Sequence, residues 1–446
     1  MKIVKGVDDY SSARVPTAAR YSWRSLAVQR FGQNSALIVV IFGAELGTHL
    51  TFWKAMLAIL VGMLLFEIVA VGVGIIGMRE GMPTYALARW TGFGTGGSSV
   101  ISLVIGLSMI GWFGIQTGIA AQGLTAIVGG LPMWLWAVVC GLVVTLISFK
   151  GIRSMAWTAY IAVPAFLIVI AWSIGTELAR HDLTELLRSA PPSTSLTMLQ
   201  AIAIASGPGV VQALISPDMT RFNRSAADVV KQTVVGISLG GLVLGGCGVL
   251  LAHAARTSNI NAIVLSSVGW VGVVIIVAGT VKVNDWNLYS SGLSVMNFVQ
   301  SVFGRRLHRW TVTAALGIAG TVVAAVGVLS QFLGFLTLLG VAMPPITGIM
   351  IAEYFFVRRW RADLESSRAS GQLPAHAPAW VPASLVIWVL SSVAGAVIPV
   401  GISSLNALVL AMVLYVLAAK LGWVRGFGGT RAEPAVKAVG QPVEQP

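Results

Sequence analysis

The chain has 446 residues, 56% of them hydrophobic and 10% charged, with a mean hydropathy of +0.84. Soluble domains carry about 25% charged residues, so a water-facing shell is excluded and the chain belongs in a bilayer. The 29 Lys+Arg against 16 Asp+Glu give +13; these basic residues cluster in particular loops, as inside-facing loops of membrane proteins do, and nucleic acid is not indicated as a partner.

Met1 to about Arg24 is polar and basic (Lys2, Lys5, Arg14, Arg20, Arg24) and lacks the apolar core and cleavage site of a signal peptide. It is expected to stay in the cytoplasm. Apolar segments follow at about 26-48, 55-78, 97-127, 131-149, 156-177, 198-217, 232-254, 264-287, 310-328, 331-352, 379-397 and 403-422, each long enough at roughly 20 residues to span as a helix. The expected fold is therefore an all-α integral membrane domain of about twelve helices over 25-422. With the amino terminus inside, the inward loops hold Arg79 and Arg89; Lys150 and Arg153; Arg221, Arg224 and Lys231; Arg305, Arg306 and Arg309; and Arg358, Arg359 and Arg361. The outward loops are poorer in basic residues, which puts both termini on the cytoplasmic side of a plasma (inner) membrane. The tail over 423-446 is rich in Gly, Pro and polar residues and is expected to be disordered.

Cys140 and Cys247 lie in apolar runs without ligand-like spacing, and His49, His181, His253, His308 and His376 are scattered. Neither a disulfide framework nor a metal site follows. No H-E-x-x-H, G-x-S-x-G or Walker pattern occurs, so no enzyme, cofactor or ATP-driven machinery is indicated.

Two spans carry helix-weakening clusters: Gly32-Gln33-Asn34-Ser35 in the first and Ser206-Gly207-Pro208-Gly209 in the sixth. Backbone groups freed at membrane depth survive only where protein or a wet cavity satisfies them, so discontinuous helices 1 and 6 beside a cavity are expected. Breaks in corresponding positions of two halves point to a five-plus-five inverted repeat. The other reading of the glycines is close helix packing.

In the third span, Trp112 and Gln116 are four residues apart and share a helical face. An indole offers a stacking surface and an amide both donates and accepts, a pair suited to a small planar heterocycle. The alternative is that Trp112 is one of 15 tryptophans and that Gly114 and Gly118 simply form a packing face.

The string Gly111-Trp112-Phe113-Gly114-Ile115-Gln116, the run Pro217-Asp218-Met219-Thr220-Arg221-Phe222 and the run Asn284-Asp285-Trp286-Asn287-Leu288-Tyr289-Ser290-Ser291-Gly292 together resemble the nucleobase:cation symporter-1 family, in its cytosine permease / purine-cytosine permease branch. The resemblance covers about residues 20 to 420. It implies alternating access and uptake of a nucleobase with a coupling ion. By position it implies stacking on Trp112, polar pairing with Gln116, contacts from Gln33, Asn34, Ser35, Gly207, Gly209 and Gln212, and Asn284 at the site or its inner gate.

The chain departs from the family in two places. Gly209 stands where members often carry an aromatic residue, which favours a larger ligand or one held on a single face. Lys282 and Val283 stand where sodium-coupled members have hydroxyls. Lys282 either replaces the sodium ion, leaving transport sodium-independent and linked to H+, or sits late in its span, where it snorkels to the interface or pairs with Asp285. Glu45 and Glu67 are further intramembrane carboxylates able to carry protons; Asp218 with Arg221 reads as a structural ion pair, and Glu353 with Arg358 and Arg359 as the inner end of the tenth span.

The expected function is thus a secondary active permease for a nucleobase such as cytosine or a purine. The alternatives are a hydantoin, allantoin or pyrimidine-vitamin-precursor transporter of the same fold, and a non-transporting membrane receptor. Nothing in the chain specifies an oligomeric state.

Overall fold

The structure is a computed structural model that describes residues 14–34, 37–149, 152–193, 196–305 and 307–431. Its spanning helices are α1 (Trp23–Asn34) and α2 (Leu37–His49), α3 (Phe52–Glu80), α4 (Gly94–Ile127), α5 (Met133–Ser148), α6 (Ile152–Arg180), α7 (Met198–Leu214) and α8 (Ser216–Thr220). There follow α9 (Ala226–Ala255), α10 (Trp270–Phe303), α11 (Arg309–Ala325), α12 (Val328–Val357), α13 (Pro382–Val397) and α14 (Ser403–Lys420). Counting α1 with α2 and α7 with α8 as single interrupted spans, these make the twelve expected. Among the described residues, six helices are long and apolar enough to cross a membrane by length and composition alone, with shorter apolar helices beside them.

The packing obeys an exchange of span i for span i+5. The first span packs along the seventh, α2 on α9, and the second along the sixth, α3 on α7; each pair is the image of the other under that exchange. The third and eighth spans, α4 and α10, pack on each other and are mutual images. Small residues make the first two crossings close, as they do in lipid where no hydrophobic drive separates helix from solvent. A Cβ added to Gly43 on α2 would lie 2.1 Å from the Gly245 carbonyl oxygen on α9, and one added to Gly62 on α3 would lie 2.6 Å from Ala205 Cβ on α7.

The sixth span is interrupted, but not where its glycines suggest. α7 runs helical through Ser206, Gly207 and Gly209 and ends at Leu214. The interruption is at Ile215 (φ −86°, ψ 8°), after which Pro217 opens α8. Proline has no N–H to carry the ladder onward and suits the first turn of a new helix. The two glycines are instead packing positions: a Cβ on Gly207 would meet Leu336 at 3.1 Å, and one on Gly209 would meet the Phe66 ring at 2.4 Å. In the first span α1 ends at Asn34 and α2 begins at Leu37; Ser35 and the side chains of Gln33 and Asn34 lie outside the described residues.

The eighth span is also displaced from the expectation. Its polar run over 284-291 ends the apolar signal at 287, yet α10 continues to Phe303 and closes on Gly304 in the left-handed region (φ 67°). Residues 264-267 belong to a separate helix, Ile260–Ser267, which Gly269 (φ 86°) separates from α10. The polar residues Asn284, Asn287 and Ser291 are buried, and the seam they enter is the one between α10 and α4.

The expectation of disorder from 423 onward fails for Phe427–Arg431. This segment is strand β2, paired antiparallel with β1, His376–Trp380, and the Trp380 ring sits where a Cβ on Gly96 would lie 2.3 Å away, at the start of α4. The residues after 431 lie outside the described ones. On the same face of the molecule, buried Arg14 donates to Glu80 Oε2 at 2.7 Å, to the Leu364 carbonyl at 2.9 Å and to Ser367 Oγ at 2.8 Å. Glu80 Oε1 accepts from Tyr354 Oη and from Arg368 Nη2, both at 2.6 Å. One carboxylate thus ties the amino-terminal segment to the ends of α3 and α12 and to the helix Arg361–Arg368.

Candidate binding site

Trp112 and Gln116 face inward from the middle of α4, and both are buried. The indole is covered edge-on by two rings of α12, Phe335 at 5.2 Å and 86° and Phe332 at 6.4 Å and 68° between centroids and planes. Gly111 permits this, because a Cβ there would stand 2.3 Å from the Phe335 ring. Gln116 is 2% exposed, and among the described residues its Oε1 has no hydrogen-bond donor. An acceptor left without a partner in a buried site costs about 1–3 kcal/mol, so this position demands an explanation. A ligand N–H is the simplest one.

Asn284 lies on the α10 side of the same seam. Its Nδ2 donates to the Phe113 carbonyl at 3.0 Å and to Thr117 Oγ1 at 2.9 Å, while its Oδ1 accepts from Asn287 Nδ2 at 3.1 Å. Phe113 and Thr117 each follow one residue after Trp112 and Gln116, so Asn284 fixes the rotation of α4 that aims the indole and amide. Both of its amide hydrogens are engaged, which makes it a strut for the site. Asn297 repeats the arrangement lower in the seam, donating to Ser102 Oγ at 3.2 Å.

The glycines of the sixth span are not brought to the indole. The turn of α12 that carries Phe332 and Leu336 separates them: Phe332 faces Trp112 and Leu336 faces Gly207. Gly209 is covered by Phe66 of α3, so an aromatic ring does sit at this level of the sixth span, supplied by the second. Gln212 takes part through its backbone carbonyl, which accepts from Arg30 Nη2 at 3.4 Å. A cavity of about 30 Å³ borders Phe66, Ser206, Val210, Thr347 and Ser404. By the usual volume per probe it holds one or two waters, and neither Trp112 nor Gln116 lines it.

Lys282 is half-buried and stands in the middle reach of α10, a helix of 34 residues. At about 1.5 Å per residue its Cα is roughly 18 Å from the nearer helix end. The expected span closed at residue 287, but α10 runs on to Phe303, so Lys282 does not stand late in its helix.

Asp218 and Arg221 attract each other electrostatically, and both make further bonds. Asp218 Oδ1 accepts the Thr84 N–H at 2.7 Å, and Arg221 Nε donates to the Asp218 backbone carbonyl at 3.1 Å. Glu353 accepts the N–H groups of Arg359 and Trp360 at 2.5 and 3.1 Å and the Tyr415 hydroxyl at 2.9 Å, which closes the end of α12. Glu45 pairs with His49 one turn on, at 3.6 Å, where both side chains keep solvent access.

Residue-by-residue reading missed Arg30. Its guanidinium is buried, only 2% of the residue being exposed, and it donates to Ser216 Oγ at 3.4 Å across the interruption of the sixth span. An arginine inside an apolar span is a functional candidate by default, and that signal was available. The covering rings of Phe332 and Phe335 carried no such signal, because their contact with Trp112 joins residues over 200 positions apart.

Residues 14–422 match the model of a family described as permeases for cytosine/purines, uracil, thiamine and allantoin. The chain is 29% identical over 353 residues to the cytosine permease of Escherichia coli strain K12, covering 79% of this chain and 82% of that protein. It is 24% identical over 366 residues to the hydantoin permease of Microbacterium maritypicum, covering 76% and 74%. Its fold is similar to the inward-facing structure of Mhp1, with a TM-score of 0.79 at 19% identity, over 96% of this chain and 100% of that one. The match spans the whole membrane domain, from the buried arginine at residue 14 to the end of the twelfth span, and the chain belongs to this cytosine/purine permease family, the nucleobase:cation symporter-1 transporters.

Proposed function

We propose that this permease is a secondary active transporter that concentrates a nucleobase, cytosine or a purine, by alternating access. Gln116 Oε1 carries the reading: it is a buried acceptor without a donor among the described residues, one helical turn from an indole. A planar heterocycle with a ring N–H beside a carbonyl satisfies it while stacking on Trp112, and stacking of bases on aromatic side chains is worth about 1–3 kcal/mol. The relatives named cytosine permease agree with this substrate class. Entry of the base requires Phe332 and Phe335 to leave the indole, so the α12 turn acts as the cover of the site.

Lys282 supports a coupling ion other than sodium. An ammonium in the middle reach of α10 repels a metal cation and can stand in its place, and the proton is then the driving ion. Gln33, Asn34 and Ser35 are proposed as substrate contacts by the family resemblance alone; Gly207 and Gly209 serve through packing and Gln212 through its backbone carbonyl. The distribution of Arg and Lys supports insertion in the plasma (inner) membrane with both termini cytoplasmic. A hydantoin- or allantoin-class substrate is the second reading, favoured by Gly209, which leaves the sixth span without an aromatic side chain of its own.

A competition uptake panel in intact cells tests these readings, with labelled cytosine against uracil, purines, hydantoin and allantoin, with and without sodium and a protonophore. Cytosine or purine competition, loss of accumulation with the protonophore and indifference to sodium are expected. Competition by hydantoin or allantoin alone moves the substrate to the second reading. Binding without accumulation makes the chain a receptor, and collapse on sodium withdrawal removes the role given to Lys282.

A further inference from the structure

Apart from the Trp112 site, one cluster of buried charge joins the parts of the molecule whose backbone is irregular. Glu67 stands midway along α3, a helix of 29 residues, and is 4% exposed. Its Oε1 accepts the hydroxyl of Ser238, the last residue of a π-helical turn, Val234–Ser238, inside α9. Such turns inside α-helices are frequent at functional sites. Gly236 in the same turn lets α1 approach, since a Cβ there would lie 2.8 Å from Arg30 Cβ and 3.0 Å from the Ala27 carbonyl oxygen.

Arg30 fills the space so made. Its guanidinium interacts electrostatically with both Glu67 and Asp218, and it bonds Ser216 Oγ and the Gln212 carbonyl at the junction of α7 and α8. One cation therefore spans the first half of the interrupted first span, the break of the sixth and the carboxylate of the second. From α1 the charged group facing Glu67 is Arg30; from α9 it is met by the Ser238 hydroxyl. α7 carries no ionisable side chain, and Asp218 on α8 faces Glu67 through Arg30. Glu45, by contrast, keeps solvent access beside His49.

We infer that Glu67 is the proton-binding group of the transport cycle, and that its ionisation state decides whether Arg30 holds α1 against α3. Ionised, the carboxylate balances the guanidinium, and α1 is clamped across the end of the sixth span. One proton added to the carboxylate makes one O–H bond and removes that charge. The Ser238 hydroxyl still has a carboxyl oxygen to donate to. Arg30 is then left to Asp218, which already accepts Thr84 N–H, and α1 is free to swing away. A proton taken up with substrate on one side thus opens the path on the other. This role rests on the transport reading above, and its test has an arm that needs no substrate.

The first arm is infrared difference spectroscopy of the purified full-length protein between acidic and alkaline buffer. The native protein and Glu67→Asp are expected to show a protonated-carboxyl component that is missing from Glu67→Gln; carboxyl absorption identical in the native protein and Glu67→Gln overturns the inference. The second arm uses proteoliposomes with labelled cytosine. The native protein and Glu67→Asp should accumulate cytosine under a pH gradient without sodium, while Glu67→Gln exchanges internal for external cytosine yet accumulates none. Gradient-driven accumulation by Glu67→Gln overturns the inference, as does a Glu67→Asp variant that exchanges cytosine but no longer accumulates it. If the native protein neither exchanges nor accumulates cytosine, the substrate reading falls and the infrared arm alone decides Glu67.

Discussion

Asn284 on α10 donates to the Thr117 hydroxyl on α4 at 2.9 Å, and this bond stands one residue away from Gln116, whose Oε1 has no donor among the described residues. A satisfied amide thus braces an unsatisfied one. The strut is expected to matter for both stability and recognition, because Asn284→Ala leaves the Thr117 hydroxyl and the Asn287 amide short of a partner. A loss of about 1–3 kcal/mol for each buried group left unpaired should appear as a lower melting temperature in detergent. Weaker binding of every substrate should accompany it, and unchanged melting with unchanged affinity would contradict the strut.

Trp112→Ala should weaken all planar ligands alike, by about 1–3 kcal/mol, the value of base stacking on an aromatic ring. Binding isotherms for cytosine and for a purine on the purified protein measure this. Equal affinity in the variant would place the ligand elsewhere.

Gln116→Leu should act differently, on discrimination between ligands. A site built to pair a polar edge rejects analogues lacking that edge far more strongly than a pocket judges size. The ratio of affinities for cytosine and for an analogue without the ring N–H should collapse in the variant, and an unaltered ratio would show that Oε1 does not read the ligand.

Gly209→Ala tests the packing role of the sixth-span glycines. A Cβ at this position meets the Phe66 ring at 2.4 Å, and overpacking of this kind costs typically 1–3 kcal/mol. Phe66→Leu in the same chain should return part of that loss, so the double-mutant cycle should be non-additive. Additive effects would mean that the two residues do not share the space.

Glu80→Gln removes the charge that holds Arg14 and Arg368. Breaking a buried ion pair by removing one partner costs about 3–5 kcal/mol, discounted on the Arg368 side because that side chain is 42% exposed. Heat or denaturant unfolding of the variant should reveal the loss, and limited proteolysis should cut earlier in the amino-terminal segment if Arg14 lets go.

Hydropathy alone carries most of the architecture. Lipid leaves no partner for exposed backbone groups, so each apolar run must close its hydrogen bonds within a helix, and local composition suffices to count twelve spans, while the three motif strings carry the resemblance to the family. Trp112 and Gln116 are legible for the same reason, since a spacing of four on one helix settles which side chains share a face. Where a helix stops is a different matter. Gly207 and Gly209 weaken the sixth span on paper, yet Leu336 and Phe66 pack into the space they leave, and the break waits for Pro217. Lys282 falls in the middle reach of α10 because the helix runs on through polar residues that are buried against α4, which no window of sequence records. The pairing of Arg30 with the sixth span and Glu67, and the rings of Phe332 and Phe335 over the indole, join residues distant along the chain. Such contacts are decided by how helices cross, and crossing depends on every small residue along the interface at once.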